Sequence, residues 1–328
     1  MKRAICGREV SPIGLGCMNL SWAYAAPPPH EDKVRLLNEA LDLGYDHLDT
    51  ANIYGLGKNE ELLADAVMHR RGEFFLASKT GIVVKGDGRA IDCSPAAITQ
   101  SLDDSLRRLE TDHIDLYYMH RLDRQVPIAD SVGAMARAIE AGKIGAYGVS
   151  EWSSASIREA HAVHPMGAVQ TEYSLCTRNP ELGVLETTRE LGIALVAFSP
   201  VGRGALGGVM KDPDSLGEQD LRRGMPRFSA ENWPQNKAMI DRFDALAASI
   251  AVAPAQLALA WILDQGDHVH AIPGTISIDH MRENFGTLDC DIPADALVEA
   301  GQIINHATVS GHRYSAAMAR SIDTEDYD

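Results

Sequence analysis

Short apolar runs rich in β-formers alternate along this sequence with stretches whose hydrophobic positions repeat at helical spacing. IGLG precedes a helix from about Glu31, YDHLD a helix near Asn59, FFLASK a helix from Ser94, and IDLYYMH a helix near Asp130. IGAYGVS then leads to a helix near Ser154, GAVQ to one near Pro180, and IALVAFS to one from about Gln235; VHAIPG follows a further helix after Pro254. Parallel strands joined by helices make either an open doubly wound sheet or a closed barrel, and eight such units over 328 residues favour the barrel. The expected fold is an α/β protein of the (β/α)8 TIM barrel type, with an N-terminal hairpin and a C-terminal loop and helix extension. No Ser/Gly/Pro-rich linker divides the chain, so residues 1–328 read as a single domain. Two insertions, residues 202–233 after the seventh strand and the acidic segment 292–328 after the last helix, are expected on the catalytic rim, where loops of a barrel carry function.

Each inner strand should deliver its last side chain to the C-terminal mouth of the barrel. Those side chains are Asp49, Lys79, His120, Ser150, Gln170, Ser199 and Thr275, with Tyr54 on the loop after the first of them. A phenol with an ordinary pKa near 10 is a poor proton donor at neutral pH, and a neighbouring ammonium lowers that value. Lys79 can supply the ammonium, Asp49 its counterion, and His120 a hydrogen bond to the substrate oxygen from the other side. The group as a whole suits protonation of an oxygen on which negative charge builds.

Composition narrows the partners. Thirty Lys and Arg against 46 Asp and Glu leave a formal charge of −16, which repels nucleic acid and anionic membranes alike, so neither is expected as a partner. The N-terminus lacks an apolar leader, and no run of about 18 apolar residues occurs, which points to a cytoplasmic protein. Five scattered cysteines, without a C-x-x-C pair, read as reduced thiols rather than disulfides or a zinc site. No metal is expected.

The segments GYDHLDTANIYG, SKTG with Lys79 and DLYYMHR with His120 resemble the Asp-Tyr-Lys-His tetrad of the aldo-keto reductases. The resemblance covers about residues 5–284 and continues in order through GKIGAYGVSEWS, AVQTEYSLCTR, VAFSPVGRGALGG and AIPGTISIDHMREN. REAHAVHPMGAVQTEYSL and PRFSAENW are similar to the branch with pyridoxal-reductase-like and auxin-induced-like members. What this implies is a barrel that binds NADPH/NADP+, with NADH possible, and reversibly reduces a small-molecule aldehyde or ketone to an alcohol. Tyr54 is then the proton donor, assisted by Asp49, Lys79 and His120. The resemblance further implies that Ser150 and Gln170 bind the carboxamide and that Phe198, where relatives more often carry Tyr, stacks on the nicotinamide. Ser199, Pro200, Gly202, Arg203 and Gly204 would cover the pyrophosphate. Gly274, Thr275, Ser277, His280, Glu283 and Asn284 would hold the adenosine end. Many relatives have Ser-Asn where this chain has Ser150-Glu151. Ile276 and Ser277 stand where relatives often carry basic residues, which leaves a modest NADPH preference to the Thr275 and Ser277 hydroxyls, His280, and Arg282 if it turns inward.

Blander readings compete. Asp49 alone could be a helix cap and His120 alone a core histidine; their places at the ends of successive strands argue otherwise. GRGALG at residues 202–207 fits the G-x-G-x-x-G pattern of a Rossmann site, but follows the seventh strand rather than the first. His161 and His164 have helical spacing without a third metal ligand, so a solvated helix face is expected. A dinucleotide-binding regulatory or redox-sensing subunit with little turnover is the alternative function, and the intact tetrad favours catalysis over it. Trp22, Tyr24, the run APPP, Trp152 and Trp233 are expected to line the mouth and bind substrate.

Overall fold

The computed structural model describes residues 1–24, 26–86, 88–208, 210 and 212–327, so two positions of the first insertion and the last residue of the acidic tail lie outside the described residues. The chain opens on an antiparallel hairpin of β1 (Arg3–Ile5) and β2 (Arg8–Val10). The barrel strands follow as β3 (Leu15–Gly16), β4 (His47–Asp49) and β5 (Phe75–Thr80). A second hairpin, β6 (Ile82–Lys85) and β7 (Gly88–Ile91), precedes β8 (Ile114–Met119), β9 (Ile144–Ser150), β10 (Ala168–Glu172), β11 (Ala194–Phe198) and β12 (Val269–Ile272). Eight strands pair in parallel, each with its successor in the barrel. The ring closes where Gly14 N donates to Ala271 O at 2.9 Å and Ala271 N to Pro12 O at 2.8 Å.

Between the strands run α1 (His30–Leu43), α2 (Lys58–Val67), α3 (Pro95–Arg108), α4 (Ile128–Glu140), α5 (Ser154–Val163) and α6 (Val184–Leu191). They are followed by α7 (Trp233–Ser249), α8 (Pro254–Leu263), α9 (Ile278–Gly286), and in the C-terminal extension α10 (Ala294–Ile303) and the single turn α11 (Ala316–Ala319). Local chemistry sets their starts: Ser94 caps α3 ahead of Pro95 at its first position, and Ser153 and Ser277 cap α5 and α9.

The strands are buried on both faces, which is why they read as continuous apolar runs. Phe75 and Ala77 of β5 face the barrel axis with Leu116 and Tyr118 of β8, while Leu76, Tyr117 and Met119 pack outward against the helices. Lys79 lies two residues beyond Ala77, so the two-residue period of the strand sends its side chain to the axis at the C-terminal end. Ile5 and Val10 of the first hairpin join Phe75, Ala168 and Ala194, the first residues of their strands. The hairpin thereby closes one end of the barrel and leaves the other for a site. Among the described residues, no single helix is long and apolar enough to cross a membrane.

Candidate active site

Asp49 ends β4 and Lys79 is the penultimate residue of β5, which pairs with β4 through Asp49 and Ala77. That register puts a carboxylate beside an ammonium with no water between them: Lys79 Nζ donates to Asp49 Oδ1, to Thr50 O at 2.8 Å and to Tyr54 OH at 3.3 Å. Gln170 Nε2 holds the second carboxylate oxygen of Asp49 at 2.8 Å. Tyr54 opens a tight turn over Tyr54–Gly57 whose next three residues all have positive φ, two of them glycines. Buried Asn59 pins that loop, accepting from Thr50 Oγ1 at 2.6 Å and donating to Cys17 O at 2.9 Å. His120, the residue after β8, stands edge-on to the Tyr54 ring with centroids 5.9 Å apart. The four side chains predicted from separate strand ends therefore meet in one place.

Burial governs their protonation. It works against the Lys79 ammonium, and Asp49 with Tyr54 more than offsets this, so Lys79 sits above the ordinary lysine value and stays charged. Burial pushes the Asp49 carboxyl up, against the opposing pull of Lys79 and Gln170. It also lifts the Tyr54 phenol above its ordinary value, although Lys79 draws it down. The net lowering expected from sequence is thus reversed by desolvation in this structure. His120 is held well below the usual imidazole value by burial and then by Arg121, Lys79 and Arg89, so its ring is neutral.

Tyr54, His120 and Asp49 line a cavity of about 980 Å³ at the open end of the barrel. Ser150, Gln170, Phe198, Ser199 and Pro200 share its wall, as do Arg203, Gly204, Gly274, Thr275 and His280. Hydroxyl and amide groups, an aromatic face and two guanidinium groups at Arg203 and Arg222 suit the carboxamide, ring and pyrophosphate of a nicotinamide dinucleotide, and the volume admits such a cofactor together with a small substrate. His120 Nδ1 is buried with no protein partner, consistent with a polar guest at this end.

Some expected contributors fall elsewhere. Gly202 faces a smaller cavity beneath the first insertion, and the wall of the main one reaches no further along α9 than His280, so Ser277, Glu283 and Asn284 stand outside it. Ser277 Oγ accepts from His280 N at 3.3 Å and so is engaged in capping the helix. Arg282 is turned away, its guanidinium 2.8 Å from Glu39. Trp22 and Tyr24 do line the cavity, but Trp152 and Trp233 do not. Glu151, in a left-handed conformation (φ 63°), breaks the line of β9 and drops Trp152 into the layer between barrel and helices, where it is 1% exposed. Trp233 opens α7 stacked on Phe228 at 5.9 Å, beside the smaller cavity. Glu151 itself points away from the mouth: its carboxylate accepts from Thr171 Oγ1 at 3.0 Å and Glu172 N at 2.7 Å and pairs with Arg313 at 2.7 Å.

The sequence model of the Aldo/keto reductase family matches residues 12–304, nearly all of the barrel. The chain belongs to the aldo-keto reductase family. Its structure is similar to that of a glycerol dehydrogenase from Gluconobacter oxydans, at 26% identity over 96% of this chain and 98% of that one, with a TM-score of 0.85. It is also similar to an aldo-keto reductase from Bacillus halodurans in its holo form (26% identity, 96% and 98% covered, TM-score 0.76) and to a thermostable aldo-keto reductase in complex with the inhibitor epalrestat (26%, 92% and 99%, 0.73). This aldo-keto reductase is accordingly an oxidoreductase of carbonyl or alcohol substrates, and members of its family use nicotinamide cofactors.

Several wall residues of this aldo-keto reductase were not singled out from sequence. Arg89 arrives on the β6–β7 hairpin, whose signal is the Gly86-Asp87-Gly88 run between two β-rich stretches. Arg121 sits directly after His120 in the DLYYMHR segment, and Tyr314, Met318 and Arg320 come from the C-terminal extension, whose polar sequence has no periodic signal.

Proposed function

We propose that this aldo-keto reductase reduces an aldehyde or ketone to the alcohol, reversibly, with NADPH as the preferred cofactor and Tyr54 as the proton donor. The observation that carries the reading is the buried ammonium of Lys79, whose Nζ is in contact with Asp49 and, at 3.3 Å, with Tyr54 OH. The nicotinamide, when bound, supplies the hydride. As charge develops on the carbonyl oxygen, Tyr54 gives up its proton, and Lys79 stabilises the tyrosinate left behind; in the reverse direction Tyr54 takes a proton back. Asp49 keeps the fully buried Lys79 charged, and Gln170 orients Asp49. His120, being neutral, hydrogen-bonds the substrate oxygen without placing a second positive charge against Lys79. Ser150, Gln170 and Phe198 would hold the nicotinamide, Ser199, Pro200, Arg203 and Gly204 the pyrophosphate, and Gly274, Thr275 and His280 the adenosine end. With Arg282 drawn off by Glu39, His280 and the Thr275 hydroxyl are the side-chain groups left to meet a 2′-phosphate, so discrimination against NADH should be modest. The test is a panel of carbonyls and alcohols followed by nicotinamide absorbance in both directions. Absence of any turnover would overturn the assignment.

A further inference from the structure

The cavity that holds Tyr54 and His120 is ringed by guanidinium groups, in a chain whose net charge is −16. They fall into two sets. Arg203, Arg222 and Arg124 are each matched by a carboxylate, Glu172, Asp220 at 2.6 Å and Asp323 at 2.7 Å. Arg89, Arg121 and Arg320 have no carboxylate partner among the described residues. Arg121 Nη1 donates to the His120 carbonyl at 2.6 Å and stands 3.5 Å from Ser150 Oγ, both neutral acceptors. Arg89 reaches in from β7 with its guanidinium 4.5 Å over the Trp22 ring. Arg320 follows α11. The carboxylates on the wall are already committed: Asp49 to Lys79 and Gln170, and Asp123 to the backbone N–H groups of Cys93 and Gln125 at 2.9 Å each. Burial, then the positive charges of Arg121, Lys79 and Arg89, hold the His120 imidazole low.

We propose that the cavity takes carbonyl substrates bearing an anionic group, a carboxylate or a phosphate, received by Arg121 and Arg89, with Arg320 approaching from the C-terminal extension. This rests on the reductase reading and deepens it. The planar fork of arginine matches both anions bidentately. Reduction adds a hydride and a proton at the carbonyl and leaves the anion untouched, so the anion acts in binding and orientation. A negatively charged protein repels an anion at long range, and the local excess of positive charge at the mouth reverses that field where the substrate enters.

The test compares 4-oxobutanoate with butanal, and glyceraldehyde 3-phosphate with glyceraldehyde, in the wild type and in Arg121→Gln and Arg89→Gln. The anionic member of at least one pair should be favoured in kcat/KM by roughly tenfold or more, and the preference should shrink in about 0.5 M salt. Each variant should lower the anionic-to-neutral ratio on the order of 10-fold or more, the loss of a charge-assisted hydrogen bond. The two pairs separate carboxylate from phosphate, and Arg89→Gln, on an exposed hairpin, tests the idea even if Arg121→Gln folds poorly. Equal turnover of neutral and anionic members in both pairs, or an unchanged ratio in Arg89→Gln, overturns the anion proposal and leaves the reductase reading standing. No turnover of any of the four with NADPH or NADH overturns the reductase reading, and the anion proposal with it.

Discussion

Replacing Lys79 by Met should cost both stability and turnover, and pH separates the causes. The methionine keeps most of the buried stem and removes the ammonium, whose contacts are Asp49, Thr50 O at 2.8 Å and Tyr54 OH at 3.3 Å. Asp49, 2% exposed, then retains only the Gln170 amide at 2.8 Å. Breaking a buried pair by removing one partner costs about 3–5 kcal/mol, a large share of the roughly 5–15 kcal/mol that holds a protein folded. At about 2–4 °C per kcal/mol, melting should fall by roughly 10 °C near pH 8. Asp49 can escape the penalty by taking up a proton. Burial already raises its carboxyl, and without Lys79 it rises further. A carboxyl raised in the folded state costs nothing below its ordinary range, and the cost grows as pH rises toward the folded value. The gap between wild type and variant should therefore be wider at pH 8 than at pH 5. Turnover should drop by about 10²–10⁴-fold, because Tyr54 loses the group that stabilises its anion. Thermal melts at the two pH values, with steady-state rates, test the account. Equal melting losses at both pH values would refute the buried-carboxylate argument, and a wild-type kcat would remove Lys79 from the mechanism.

Tyr54→Phe should lower kcat by about 10²–10⁴-fold while leaving cofactor affinity, read by fluorescence titration, nearly unchanged, since the ring and its packing on His120 remain; half the wild-type kcat would refute the proton-donor role. Glu172→Gln should destabilise the fold by about 3 kcal/mol at pH 7. Burial raises the Glu172 carboxyl, but Arg203 and Arg313 outweigh it and bring it down to about 2. Because the value is depressed, that stability is present above the ordinary carboxylate range and lost as pH falls toward 2, so the difference between wild type and variant should close in acid melts. His280→Arg should raise the NADPH-to-NADH ratio of kcat/KM by about tenfold, and a clear NADH preference in the wild type would overturn the cofactor assignment. Activity should survive EDTA, because among the described residues no three His, Cys, Asp or Glu side chains form a group able to hold a metal ion; loss restored by zinc would refute this.

Much of this protein was legible before folding because two kinds of information are local. The alternation of apolar runs and helical periodicity determines parallel strands joined by helices, and eight such units in 328 residues favour a closed barrel over an open sheet. The strand period then decides which residue of each run faces the axis, so Asp49, Lys79 and His120 could be placed at the mouth from their positions alone, and all three meet there. What required the tertiary structure depends on which distant segments come together. Trp152 looked like a mouth residue until the left-handed Glu151 turned it into the helix layer. Glu151 stands where many relatives carry Asn, and only the fold shows its carboxylate paired with Arg313, far along the chain. The protonation of the site also lies beyond sequence, because the sign of the Tyr54 shift is set by a contest between desolvation and the Lys79 charge, and desolvation is a property of the assembled surroundings. The mouth arginines without a carboxylate partner among the described residues come from a hairpin, a strand end and the C-terminal extension; no periodicity links them, and only the fold decides which cations are paired.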